Sequence, residues 1–461
     1  MTIRHAILDR PARVQWALLG ALIAIGLAAM FVLTPILNKA ATTTGQRAVF
    51  ADYLAALVLA IVCATAIAVW PLRPAEKARL LLLWAIKAGI TLLLLPVYEA
   101  HYYAELDAFS YFRAGALDNE PLPRLTFGAG TVVVPWLVHW ATAVLPAYFH
   151  LLEMLWSFVG LLAIFAFYRG WRSLVPELDS RFLLWIGLFP DILFWSSILG
   201  KDPVCLAGVG LYFCGIARWH ATRAIRPLFL AAVGIGIAAA IRPWYVLILV
   251  APLIVFALVG RRVRGWQKFL MLLVFGAGAI YAARWFLLSF NIGDTSQLVA
   301  VSNEVSHGWA HGGSAQVTRQ FHGVIGMLAF IPAGLFTALF RPLPGEIGNP
   351  FAVLAGIDNL ALLGLFLLAV KRLPVRVLRR PSLLWAVALV AVWGLMYAFP
   401  SMQNLGTAVR FRLQVLPILW PLVLLGSRRH HRHGLVPLRA VGQWVKRGAI
   451  DSRDVAVERI V

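Results

Sequence analysis

The sequence predicts an all-α, polytopic membrane protein: a bundle of about twelve transmembrane helices, with re-entrant or interfacial helices on its outer face. Three observations carry this prediction. Hydrophobic residues make up 61% of the 461 positions and charged residues only 13%, a balance that soluble domains do not reach. Many apolar runs approach the ~20 residues needed to cross a bilayer. The alternation over ~10 residues that marks a membrane β-barrel is absent.

The apolar segments lie at 15–37, 51–72, 79–97, 127–147, 149–168, 182–199, 203–218, 227–241, 245–260, 268–289, 324–340, 351–370, 383–399 and 413–427. The first follows Arg4, Arg10 and Arg13, as a signal peptide would, but it is too long for a signal core and reads as a helix. Counting every segment as a crossing places the basic loops Arg169–Arg181 and 218–226 outside, against the positive-inside rule. Demoting 127–147 alone sends Lys371–Arg380 outside instead. Demoting both 127–147 and 324–340 leaves about twelve crossings and puts every strongly basic loop inside, with both termini cytoplasmic. Pro135, His139 and Pro146 in the first demoted segment, and Pro332 in the second, suit broken or surface-lying helices.

Residues 1–426 therefore form one membrane domain, and 427–461 a basic cytoplasmic tail at the lipid headgroups. The net charge of +21 belongs to loops facing anionic lipid rather than to nucleic-acid binding. Cys63, Cys205 and Cys214 lie in apolar segments without metal-ligand spacing and read as core residues.

This topology gathers the polar motifs on the outer side. A charge near the hydrocarbon costs roughly 2.5–3.5 kcal/mol on insertion scales, so such residues face a watery cavity and act there. The first outer loop carries Asp107 and Tyr111, with Ala114, at i, i+4 and i+7, and Glu105 and Glu99 as alternates. Asp107 is either a base for a hydroxyl acceptor, or a cation partner, or the cap of a short helix. The second motif is the turn Gly200, Lys201, Asp202, Pro203. Asp202 reads as an N-cap followed by an N1 proline, and the helix start with Lys201 makes a phosphate site. Asp191, inside an apolar run, calls for a nearby base.

The third motif is Arg242, Pro243, Trp244, Tyr245, where the guanidinium suits a phosphate and the rings suit a sugar, a prenyl chain or the interface. In the loop 290–323, His307 and His311 would fit a metal if helical, but Gly308, Gly312 and Gly313 disfavour that helix. A mobile lid or acceptor-binding loop, including His311, is the better fit. Arg341 and Glu346 set a base and an acid in a rigid turn, and Arg410 and Arg412 precede a span that runs inward. Positive charge at that outer end implies an anionic partner, either a substrate phosphate or Asp107.

The spacing Asp107, Tyr111, Ala114 in the first large outer loop resembles the GT-C class of membrane glycosyltransferases. The run Phe194 to Asp202, the Arg242-Pro243-Trp244 and Phe340-Arg341-Pro342 triplets, and Gly406 with Arg410 are similar to bacterial members of that grouping, over about 98–417. The resemblance implies a polyprenyl-phosphate lipid donor, a glycan, lipid or protein acceptor, and the outer face of the bacterial inner membrane. It implies that Asp107 acts as base or metal partner and that 127–147 forms an interfacial helix. Many members carry an adjacent acidic pair further along, whereas here Asp202 stands beside a lysine. Lys201, Arg242 and Arg410 would then hold the donor phosphate. No cofactor is called for, and a divalent cation stays open. A polymerase or ligase of lipid-linked oligosaccharides would draw its base from His307, His311, His322 or Glu346. A transporter or flippase would show inverted repeats and charges spread through the membrane depth, and the chain has neither.

Overall fold

The computed structural model describes residues 17–427 except 18–19, 22, 45–47, 103–105, 118–121, 123, 260–263, 290–296, 298, 305–313, 317–318, 348–349 and 373–379. Glu105, His307, His311 and the basic tail from Arg428 lie outside the described residues.

The chain is helical throughout its ordered elements, and among the described residues an isolated bridge between Ala315 and Asn404 is the one β-type pairing. Among the described residues, six helices are long and apolar enough to cross a membrane: Val49–Val69 (α1), Pro74–Tyr102 (α2), Phe149–Leu174 (α3), Lys201–Thr222 (α4), Val353–Arg372 (α5) and Pro381–Gln403 (α6). The pair Leu405–Arg412 (α7) and Leu416–Ser427 (α8), bent by 76°, makes a seventh if counted together. This fits an all-α membrane bundle but corrects the expected count of about twelve.

The difference has a physical source. The apolar run 182–199 is not one helix but two, Arg181–Gly187 and Pro190–Trp195, because Pro190 restarts the helix at its first position. Arg226–Ile241, Tyr245–Val259 and Val324–Phe340 are apolar but of 10–17 residues. At 1.5 Å per residue the longest of these reaches about 25 Å, short of a ~30 Å hydrocarbon core. The two segments set aside from the crossings are both short, Gly130–Thr142 at 13 residues and Val324–Phe340 at 17.

α3 is the most buried of the long helices, and α1 and α4 pack along it. α4 also packs closely on Arg226–Ile241, where a Cβ at Gly234 would stand 2.4 Å from the Tyr212 amide nitrogen. Small residues permit this backbone approach, as in membrane helix pairs generally. The core holds Trp84, Trp171, Trp219, Trp385 and Trp393, all fully buried. On the outside, α5 leaves Leu354, Ile357, Leu360, Leu367 and Val370 exposed, an apolar surface suited to lipid. The three cysteines are free and buried, as core residues.

Candidate functional site

One end of the bundle collects the last turn of α2, the first turns of α3 and α4, the last turn of α6, and α7. The segment after Tyr102 enters a short helix, Asp107–Phe112, followed by a π-turn at Arg113–Leu117. Leu106 caps that helix, so Asp107 is its first residue rather than its cap, and its side chain is about half exposed. The π-turn also breaks the expected common face before Ala114. At α4 the cap is Gly200, and Asp202 sits in the first turn with no capping bond. Its carboxylate is therefore directed elsewhere.

Both carboxylates meet at Arg410. The guanidinium Nη1 donates to Asp107 Oδ2 at 2.9 Å, and Nε donates to Asp202 Oδ2. Arg242 Nη2 stands 3.9 Å from the other Asp202 oxygen. Arg242 is buried over the Phe411 ring, 4.1 Å from its centroid, and donates from Nη1 to the Tyr397 hydroxyl at 3.1 Å. Trp244 donates to the same hydroxyl at 3.0 Å, so its indole braces Arg242. Lys201 places its ammonium 5.4 Å from the centre of the Tyr111 ring. Burial pushes the Tyr111 hydroxyl well above its ordinary pKa, with Asp107 adding to the rise and Arg410 opposing it. It stays a neutral hydrogen-bonding group at physiological pH.

Five charged residues from four segments remote in sequence, Asp107, Lys201 with Asp202, Arg242 and Arg410, thus form one cluster of three cations and two carboxylates. It grades from the buried Asp202 and Arg242 to the half-exposed Asp107. Such a cluster can hold an anionic group with the guanidinium forks while a carboxylate remains at the open edge. Gly130 of the first short helix packs against Lys201 and Ile241, closing one side. The described part of the loop 290–323 approaches the other side. Ser314 Oγ donates to Asn404 Oδ1 at 2.7 Å, and Asn404 caps α7 by accepting from the Thr407 amide.

Arg341 and Glu346 join each other instead. Nε of Arg341 donates to both carboxylate oxygens at 2.7 and 3.0 Å, and the Leu343 amide donates to Oε2 at 2.7 Å. Burial raises the Glu346 carboxyl, but the bonds from Arg341 and Leu343 outweigh it and hold it below the usual carboxylate range. The pair closes a turn beside Arg412, two residues from Arg410. Arg412 is fully buried, donating from Nη2 to Asp191 Oδ2 at 2.8 Å and from Nη1 to the Leu339 carbonyl at 2.9 Å. Asp191 has the base its burial required.

Beneath the cluster lies a layer that the sequence reading did not find. Asp52 on α1 accepts from His150 Nδ1 at 2.7 Å and from the Leu151 amide at 3.1 Å, fixing the start of α3. Glu99 Oε2 is 4.0 Å from His150 Nε2, and Glu153 is buried on the next turn. Lys87, fully buried in α2, donates to the hydroxyls of Ser196 and Ser197 at 2.7 Å each. Trp156 donates to the Gly200 carbonyl at 3.1 Å. Gly160 lets the turn approach α3: a Cβ there would fall 2.0 Å from the Ser196 carbonyl oxygen. These groups hold the turn that presents Lys201 and Asp202. Of the ionisable groups among them, only Glu99 stands out in the sequence, as an alternate to Asp107.

No protein-family model, curated protein or solved structure matches this chain. Function is therefore read from the geometry of the site. Among the described residues, no group of three or more His, Cys, Asp or Glu side chains is arranged to hold a metal ion.

Proposed function

We propose that the chain is an integral membrane glycosyltransferase of the GT-C type, moving a sugar from a polyprenyl-phosphate donor to a glycan, lipid or protein acceptor on the outer face of a bacterial inner membrane. The observation that supports this reading best is Arg410 bridging Asp107 and Asp202, with Arg242 and Lys201 beside them. A transferase of this kind needs an anion cradle for the donor phosphate and a carboxylate at the solvent edge for the acceptor hydroxyl. The cluster supplies both at one end of apolar helices, where a prenyl chain has lipid to lie in.

The chemistry follows the placement. The acceptor oxygen attacks the anomeric carbon, its proton passing to Asp107. The bond from that carbon to the phosphate oxygen breaks, and the polyprenyl phosphate leaves with the electron pair. Attack from the side opposite the leaving group inverts the anomeric centre. Lys201, Arg242 and Arg410 stabilise the charge that develops on the phosphate, and preorganised electrostatics of this kind are often the largest catalytic contribution. Before donor binds, one Asp107 oxygen is occupied by Arg410. A donor phosphate offers that guanidinium a better-matched acceptor and frees Asp107, so donor binds before acceptor.

The test is incubation of purified protein with a panel of radiolabelled polyprenyl-phosphate sugars and bacterial membrane extract. Label entering a glycan or glycolipid from at least one donor is the expected result. No transfer from any member of the panel, alongside vectorial movement of an intact lipid-linked anion in liposomes, would replace the reading with transport.

A further inference from the structure

The opposite end of the bundle carries a second cluster of charged residues. A cavity of about 360 Å³ opens between the start of α2 and the end of α3, lined by Pro71, Arg73, Glu76, Arg169, Arg172 and Ser173 among others. The candidate transfer site lies at the start of α3, roughly 30 Å away along that helix. The two sites therefore face different ends of the molecule.

The cavity is built rather than incidental. Glu76 is buried, and it accepts from the Tyr168 hydroxyl at 2.9 Å and from Arg169 Nη1 at 3.5 Å, and pairs with Arg172. The guanidiniums of Arg169 and Arg172 lie over the Phe165 and Tyr168 rings, each 5.9 Å from the centroid. One carboxylate and two rings thus fix two arginine forks at the cavity wall, and Arg73 adds a third cation at its exposed rim. Three cations face one carboxylate already engaged. The Arg172 Nε–H is buried and donates to no described group. Trp70, its ring tilted against Phe165 with centroids 5.5 Å apart, stands where interfacial tryptophans sit at the end of a membrane helix.

We infer that this cavity binds a phosphate-bearing anion, through bidentate contacts from Arg169 and Arg172 and charge from Arg73. Guanidinium forks match phosphate oxygens in geometry, and a fixed fork loses little freedom on binding. The phosphate arrives either on an acidic phospholipid headgroup or as a soluble ion. The inference depends on neither glycosyl transfer nor the cluster around Arg410.

Native mass spectrometry of the full chain in detergent, with phosphatidylglycerol against phosphatidylcholine, tests the lipid source, and calorimetric titration with inorganic phosphate tests the soluble one. The exposed Arg73 and Arg169 are changed together to glutamine. A control carries Arg264→Gln and Lys268→Gln, which remove equal charge elsewhere. Preferential retention of phosphatidylglycerol, weakened about tenfold in the first variant and unchanged in the control, supports a lipid site. Saturable phosphate binding with the same pattern and no lipid preference supports a soluble ligand. Equal loss in both variants reduces the effect to general surface charge and overturns the inference. So does wild-type protein that binds neither phosphatidylglycerol preferentially nor phosphate, whatever the folding of the variants.

Discussion

Arg410 is the residue on which the site turns, since among the described residues it alone bonds both carboxylates. Changing it to glutamine keeps hydrogen-bonding reach but removes the charge shared between Asp107 and Asp202. Transfer is expected to fall by a factor of roughly 10²–10³, the usual scale for loss of one preorganised charge-stabilising donor, read as initial rate at saturating donor. The buried Arg412–Asp191 pair makes a different prediction. Removing one member leaves an uncompensated charge in the interior, so Asp191→Ala should destabilise the fold by about 3–5 kcal/mol, measured by thermal unfolding in detergent. Adding Arg412→Met should recover part of that loss. The sequence made the first set of residues legible because they stand at the ends of apolar runs, where a charge is conspicuous. It hid Asp52, Lys87, His150 and Glu153, single polar residues near or within long hydrophobic stretches. Their partners lie about 100 residues away for Asp52 with His150, and for Lys87 with Ser196. No local pattern announces such a pair.

At the scale of elements, the turn 196–202 and the helix starts around it decide what Lys201 and Asp202 can reach. Gly160→Ala would place a methyl on the Ser196 carbonyl. The backbone of α3 is held by its helix neighbours, so the turn must move. Donor binding and transfer should drop together, while the glutamine variant at Arg410 affects this site without shifting the turn; limited proteolysis between residues 188 and 200 would reveal the displacement. The Arg341–Glu346 turn adds a pH signature. Its carboxyl lies below the ordinary glutamate value of about 4.3 in the folded protein. Its stabilising contribution is thus complete above that value and lost as pH falls through the lower folded one. Acid unfolding of Glu346→Gln should lack this component, a comparison made by following thermal midpoints from pH 6 to pH 3. Helix existence was legible in the apolar runs, whereas helix continuity was not. A proline at 190 ends one helix and starts another within a run that hydropathy counts as a single crossing.

For the whole molecule, helix direction separates two polar ends: the cluster around Arg410 and the arginine-lined cavity near Glu76. The basic loops lead one to expect a cytoplasmic and an outer end, and Asp107, Lys201, Asp202, Arg242 and Arg410 gather at one end of the bundle. Sidedness can be read directly, because the native cysteines are buried. A cysteine introduced at the exposed Arg124 should react with an impermeant maleimide added outside intact cells, and one at the exposed Asp179 only after permeabilisation. The claim that joins these scales is that Asp107 takes the acceptor proton while the three cations hold the donor. Its most direct measurement is the transfer rate and donor affinity of Asp107→Asn beside wild type. The account predicts a rate lower by about 10²-fold or more with donor affinity retained, since asparagine keeps the shape and the half-exposed position strains nothing. A variant that transfers sugar at the wild-type rate would contradict it.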